Sequence, residues 1–425
     1  MKRISTHPVS LLLALVTLTL APGSVSRVHA QSAQDPPPRG LEAGPWVLAP
    51  ILGIGYTNDD NIFRLDEEEE DEQIGEAVAA LTAYLPFRKS MLKLGYSAEY
   101  YDYANNNFTR TVAQDFSLDL DVRLAGGGRI RVRDDYTRGF SDVQQFDEGG
   151  ERVFDGKPYD LNDFEVTFSR AVPYHPGYLL RIRSRDFSFV EGAEVAFFDY
   201  KGWDASGEYR QPIPGSRWLT LFGNSRRLDH SEAGSSGDPF RKEAADDLQI
   251  GIRGLAGGDD PYFIKLGWGR FEYQDVVGAV TEPEPFRGVV GAFQYRLRIS
   301  HAMDMVFSGS RRPLPSNFDT YYLVNEMQVD LQRTWQQFSI MGVKALYSAN
   351  RYGDILTLRD GTPLTTCSDF IRKDDRYRVE AYGQWWVNDL LGVSIAAAHQ
   401  GRNSNCAISE YEANVLSANI EFGWF

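Results

Sequence analysis

Ser90 to Tyr103 reads SMLKLGYSAEYYDY. Leu92, Leu94, Tyr96, Ala98 and Tyr100 share one parity, and Lys93, Gly95, Ser97 and Glu99 share the other. A β-strand produces this period of two, because successive side chains point to opposite faces. The next segment repeats it, with Phe116, Leu118, Leu120 and Val122 alternating with Asp115, Ser117, Asp119, Asp121 and Arg123. A soluble sandwich also alternates, so segment length and connections have to decide the fold class.

Three features decide for a membrane barrel. Short turns, such as Pro86–Lys89, Ala125–Gly127, Tyr174–Gly177 and Gly257–Asp260, alternate with longer polar loops, as periplasmic turns alternate with external loops in outer-membrane barrels. The alternating segments run to about 10–15 residues, beyond the usual strand length and enough to cross a bilayer when tilted. Aromatic residues collect near segment ends, at Tyr100–Tyr103, Tyr321–Tyr322, Trp385–Trp386 and Trp424–Phe425, which suits girdles at the membrane interfaces.

Strands are expected at 46–57, 73–84, 90–103, 112–124, 128–137, 160–172, 177–189, 197–210, 217–228, 243–255, 261–274, 286–299, 303–312, 319–333, 336–350, 374–386, 390–401 and 410–425. That is an antiparallel up-and-down transmembrane β-barrel of about eighteen strands. The segments at 197–210, 303–312 and 336–350 alternate least cleanly, which leaves sixteen as the other count. A barrel of this size encloses an aqueous lumen. The few residues between position 30 and the first strand leave no room for the plug of a 22-stranded transporter.

Composition agrees. Of 425 residues, 42% are hydrophobic and 24% charged, with two Cys and a formal charge of −15; this excludes disorder and a disulfide-stapled miniprotein. Met1–Ala30 reads as a cleaved secretory signal, with Lys2 and Arg3 before an apolar run and Val28-His29-Ala30 at the cleavage site. Losing Lys2, Arg3 and Arg27 takes the charge to −18, which argues against nucleic acid as a partner. The domain order is then signal 1–30, Pro-rich periplasmic tether 31–45 and barrel 46–425. The expected location is the outer membrane of a Gram-negative bacterium, in contact with lipid and lipopolysaccharide. Insertion machinery would read the last strand, whose comb of Leu416, Ala418, Ile420, Phe422 and Trp424 ends in Phe425, on the other parity. Either a bulge at Gly423 or a frayed last residue accounts for that mismatch.

If the apolar parity faces lipid, the other lines the lumen. Asp115, Asp119 and Asp121 then face Arg129, Arg131 and Arg133, and Asp163 and Glu165 face Arg181, Arg183 and Arg185. Arg253, Arg296 and Arg298, with Glu326, Gln328, Asp330 and Gln332, extend the polar wall. Neighbouring strands lie about 5 Å apart, so the combs form salt-bridge ladders, present donors and acceptors to hydrated cargo, or do both.

No catalytic site is expected: HExxH, GxSxG, P-loop and dinucleotide fingerprints are absent. His175, His230, His301 and His399 are scattered, with His399 nearest an outward rim. No cofactor or metal is expected. The weak metal candidate is the acidic run from Asp66 through Glu67, Glu68, Glu69 and Glu70 to Glu72, preceded by Asp59 and Asp60, read first as a solvated loop and second as a divalent-cation bridge to lipopolysaccharide.

Tyr56-Thr57-Asn58-Asp59-Asp60-Asn61-Ile62-Phe63-Arg64 resembles the β-barrel porin 2 family, outer-membrane barrels found with exopolysaccharide biosynthesis genes. The resemblance implies a non-enzymatic exit channel for a polysaccharide, working with a periplasmic polysaccharide-export protein. Two other functions fit the residues alone. One is a diffusion porin for small solutes, with Ser141–Asp160 as an in-folded constriction; the other is an adhesive surface barrel with a closed lumen.

Cys367 and Cys406 fall in the last two expected external loops, in an oxidising compartment. A disulfide between them closes a loop of about forty residues, worth about 3–4 kcal/mol by chain entropy. Mass spectrometry of unreduced protein should find no free thiol; two free thiols would overturn the pairing.

Overall fold

The structure is a computed structural model that describes residues 40–64, 69–105, 110–140, 158–171, 175–190, 199–229, 242–256, 260–274, 284–315, 321–335, 339–353, 371–388, 390–406 and 410–423. A short strand, β1 (Leu41–Ala43), is followed by eighteen long ones. These are β2 (Trp46–Asp59), β3 (Glu72–Phe87), β4 (Ser90–Tyr103), β5 (Thr111–Arg123), β6 (Gly128–Phe140), β7 (Pro158–Arg170), β8 (Gly177–Phe189), β9 (Tyr200–Ile213) and β10 (Arg217–Asp229). Then come β11 (Lys242–Ala256), β12 (Asp260–Gln274), β13 (Phe286–Ser300), β14 (Met303–Pro315), β15 (Tyr321–Trp335), β16 (Ser339–Tyr352), β17 (Lys373–Asn388), β18 (Leu391–Ser404) and β19 (Tyr411–Gly423). Each matches an expected strand to within three residues at either end. The three segments with the poorest alternation are β9, β14 and β16.

Every long strand pairs antiparallel with the next, and β19 pairs with β2 from Val415↔Asp59 to Gly423↔Ile51. The sheet is therefore closed. Following Cα partners from Ile51 through Ala80, Ser97 and Asp115, and on round the barrel by extending each register, returns to β2 about 22 residues higher. That stagger corresponds to a strand tilt of roughly 40° and a backbone diameter of roughly 35 Å, wide enough for a lumen.

The outward parity carries the exposed apolar side chains, among them Leu52, Leu81, Tyr96, Phe116, Leu180, Leu221, Ile250, Leu266, Met327, Val343, Ile395 and Ile420. They form a level belt. Above it, at the external ends, outward ion pairs follow one another: Arg138–Asp160, Lys201–Asp186, Arg227–Asp246, Arg270–Glu272 and Arg351–Asp375. The change from belt to charge marks where hydrocarbon gives way to headgroups.

Two expectations change. Residues 41–43 of the expected tether pair with Leu48–Trp46 as β1, so the chain folds back onto the barrel before it ends. The aromatic girdles divide by parity: Tyr100 faces out, while Tyr101 and Tyr103 face in and pack on Phe140. Tyr322 likewise faces in, stacked on Tyr352. A run of adjacent aromatics cannot serve one face of a pleated strand. The inward rings instead make the buried apolar clusters at the external mouth. Gly423 keeps regular register with Ile51, and Trp424 and Phe425 lie outside the described residues.

Leu266→Arg should lower the unfolding free energy of the barrel by about 2–4 kcal/mol, because it puts a charge in the middle of the belt. Gln249→Arg, on the lumen side, should change it by well under half as much. Urea unfolding from phospholipid vesicles measures both.

Candidate functional site in the barrel lumen

The candidate combs all stand on the inward parity. On β5 and β6 the register sets Asp121 opposite Arg131, Asp119 opposite Arg133 and Arg123 opposite Arg129, yet the ion pairs run diagonally. Arg129 grips Asp121 with two bonds of 2.8 and 2.6 Å, and Arg131 grips Asp119 through Nε and Nη2. Arg133 turns along its own strand to Asp135. Asp115 takes no guanidinium; it accepts from the Thr137 and Ser97 hydroxyls at 2.5 and 3.4 Å.

The second ladder repeats the diagonal. Asp163 on β7 accepts from Arg183 on β8, with Arg185 at 3.8 Å. Arg181 lies 3.9 Å from Glu165 and 4.0 Å from Asp204 on β9. Further round, Glu208 binds Arg210 and Arg253 at 2.8 and 3.1 Å. Arg296 and Arg298 converge on Asp304 at 2.5 and 3.7 Å. On the far wall Tyr382 donates to Asp330 at 3.0 Å, and Arg378 is bound to Glu380 at 2.7 Å.

The wall is thus studded with charge that is mostly matched strand by strand. Arg131 and Arg133 remain 42% and 47% exposed despite their partners, so their guanidiniums still face lumen water. A forked guanidinium keeps spare N–H donors after binding one carboxylate. The surface therefore offers donors and acceptors without a field of one sign.

The motif at Tyr56–Arg64 has a different place. Asp59, 2% exposed, receives both Nη atoms of Arg64, 1% exposed, at 2.5 and 2.6 Å. The Asn61 amide donates to Asp59 Oδ1 at 3.1 Å, and its side-chain Nδ2 donates to the Glu412 carbonyl at 2.7 Å. Asp60 accepts from the Asn414 backbone N–H at 2.6 Å and from its side chain at 2.7 Å. Glu412 and Asn414 belong to β19. The motif therefore knots the first long strand to the last at the external end of the seam, where only nine register pairs join β19 to β2. Sequence pattern could not assign that role, since the partners lie some 350 positions away.

A second buried knot, missed in the sequence, sits beside it. Asp374 receives Arg372 at 2.7 Å, Ser404 at 2.7 Å and Tyr352 at 3.2 Å, with Arg402 at 3.8 Å. The Arg372 guanidinium lies over the Tyr352 ring, and that of Arg402 over Tyr411.

The acidic run does not act as a unit. Asp59 and Asp60 are used in the seam, and Glu72 is buried at the start of β3, accepting from the Asn105 amide at 2.9 Å. Glu69 and Glu70 are exposed, and Asp66, Glu67 and Glu68 lie outside the described residues. Among the described residues no group of His, Cys, Asp or Glu is placed to hold a metal. His399 faces outward, with Nδ1 2.9 Å from Asn414 Oδ1. His230, Cys367 and the 141–157 part of the expected constriction lie outside the described residues, while 158–160 belong to β7. Cys406 is buried and disulfide-bonded.

Closed sheet, apolar exterior and hydrated charged interior meet in one architecture. The chain is a closed antiparallel β-barrel of eighteen long strands with a lipid-facing exterior. No protein-family model matches it, and no curated protein does. Among solved structures it is similar to OccAB3 of Acinetobacter baumannii (9% identity, covering 90% of this chain and 100% of that one, TM-score 0.49). It is also similar to the siderophore receptor PirA of Pseudomonas aeruginosa (10% identity, 90% and 81% covered, TM-score 0.46). A bacterial polysaccharide outer membrane secretin matches at 9% identity, with 89% and 98% covered and a TM-score of 0.39.

Arg64→Ala leaves the Asp59 carboxylate buried without its partner, a change that typically costs about 3–5 kcal/mol. The folded barrel should then lose its heat-resistant gel mobility at a distinctly lower temperature than wild type. In the lumen, Arg131→Ala should cost well under 1 kcal/mol, as its pair with Asp119 is half-exposed, but should shift reversal potentials towards cation selectivity in planar bilayers.

Proposed function

We propose that this barrel is the outer-membrane exit channel for an exopolysaccharide, acting with a periplasmic polysaccharide-export partner. The observation that carries the reading is the lumen wall: long ladders of Arg, Asp, Glu, Gln and Tyr whose opposite charges pair locally. A hydrated polymer crossing the membrane must exchange hydrogen bonds with water for hydrogen bonds with the wall, and must not be held at any one point. Matched ladders supply many donors and acceptors of similar strength while keeping the potential along the path even. The barrel shields the chain of sugars from lipid, and the half-exposed guanidiniums of the Arg129–Arg133 comb make transient bonds to hydroxyls and uronate carboxylates. The Tyr56–Arg64 motif supports the same assignment through its resemblance to the β-barrel porin 2 family.

Deleting the gene and weighing carbohydrate in the extracellular and periplasmic fractions tests this reading. Loss outside with accumulation inside is the expected result. Unchanged fractions overturn polysaccharide export. Conductance of the refolded protein in a planar bilayer then separates a small-solute porin, which conducts, from an adhesive barrel with a closed lumen, which does not.

A further inference from the structure

Among the described residues, Asp134 and Arg333 face lipid within the apolar belt, and Arg311 faces out nearer its external edge, held by the Val289 carbonyl and Asn325 Oδ1. Asp134 on β6 stands on the outward parity between Leu118 of β5 and Phe164 of β7, its register partners. Its Oδ1 is sealed from solvent and has no hydrogen-bond partner. Arg333 on β15 stands outward between Met303 of β14 and Met341 of β16. Its guanidinium lies 4.4 Å over the Trp335 ring. Every charged pair of the external ring sits above the belt, whereas Asp134 and Arg333 lie within it.

A carboxylate in hydrocarbon is costly and cannot reach water on so short a stem. The membrane-facing surface around Asp134 therefore calls for a covering protein that brings a donor. β6 and β15 lie nine strands apart in either direction round the eighteen, so acid and base occupy opposite sides of the barrel. Their surroundings are complementary as well. Met303 and Met341 stand directly beside Arg333 and Met305 one outward position above Met303, so three of the six Met in the chain gather outward around it. Phe116, Phe164 and Tyr136, all well exposed, surround Asp134. Thioethers mould themselves to irregular partners and favour aromatic rings, and Arg and Met are enriched where proteins meet. The continued registers put Arg333 about 8 Å nearer the periplasmic side than Asp134, a gap its long stem can span.

We propose that the β14–β16 face of one barrel docks on the β5–β7 face of a second copy, with Arg333 of one binding Asp134 of the next. The two surfaces differ, so the contact is head-to-tail. It does not close on itself, and it generates rows of barrels in the plane of the membrane.

The test is energy transfer between donor- and acceptor-labelled populations of the full-length barrel in proteoliposomes at high lipid dilution. Wild type should transfer well above the level of random mixing. Asp134→Asn alone and Arg333→Met alone, both mild enough to leave insertion intact, should each fall to that level. A mixture of donor-labelled D134N with acceptor-labelled R333M should regain roughly half the wild-type transfer, because the first still offers Arg333 and the second still offers Asp134. Wild-type transfer at the random level overturns the proposal. So does transfer unchanged in either variant, or a mixture that regains nothing.

Discussion

Closure of the sheet is the constraint on which everything else in this barrel rests. Hydrocarbon supplies no hydrogen-bonding partner, so each backbone N–H and C=O within the membrane must be met by a neighbouring strand. For seventeen of the eighteen contacts the neighbour is next in sequence and is brought in by a turn or loop. The eighteenth joins β19 to β2, and chain connectivity does nothing to assemble it. Asp59, Asp60, Asn61 and Arg64 meet this need with a buried knot that reaches Glu412 and Asn414. A stretch that reads like a family signature is, in physical terms, the clasp of the barrel.

Closing eighteen strands leaves a lumen too wide to be filled by side chains, and the inward parity is freed to be polar. The chain divides that interior by height. Near the external mouth the inward residues are buried, as aromatic clusters with Tyr101, Tyr103, Phe271, Tyr322 and Tyr352 and as the charged knots around Asp59 and Asp374. Below them the wall is charged and half-exposed. Pairing Arg129 with Asp121, and Arg183 with Asp163, lets a dense array of guanidiniums line a pore in an acidic protein without self-repulsion. The same pairs stiffen the wall across strands, so the structural and cargo-facing readings of these combs describe two consequences of one arrangement.

The strand map was legible because alternation is enforced twice, by lipid outside and by water inside. A slip of one residue would exchange the two faces. That is why even β9, β14 and β16, whose alternation is weakest, lie within three residues of their expected positions. The inward direction of Arg131 or Asp163 followed from the same parity. Their partners did not, because diagonal pairing depends on the twist of the sheet and on rotamers. Arg133 shows the limit: Asp119 stands opposite it, yet Asp135 on its own strand takes its guanidinium.

What the sequence determined by itself is the class of fold, a count of eighteen or sixteen strands and the side each residue faces, since all three follow from local periodicity against two solvents; the closed sheet decided for eighteen. Tertiary structure alone decided which distant residues meet. The seam knot, the Asp374 cluster, the inner aromatic ring and the opposed positions of Asp134 and Arg333 depend on the circumference and stagger of the closed barrel. No window of sequence contains those quantities, because they are properties of the ring as a whole.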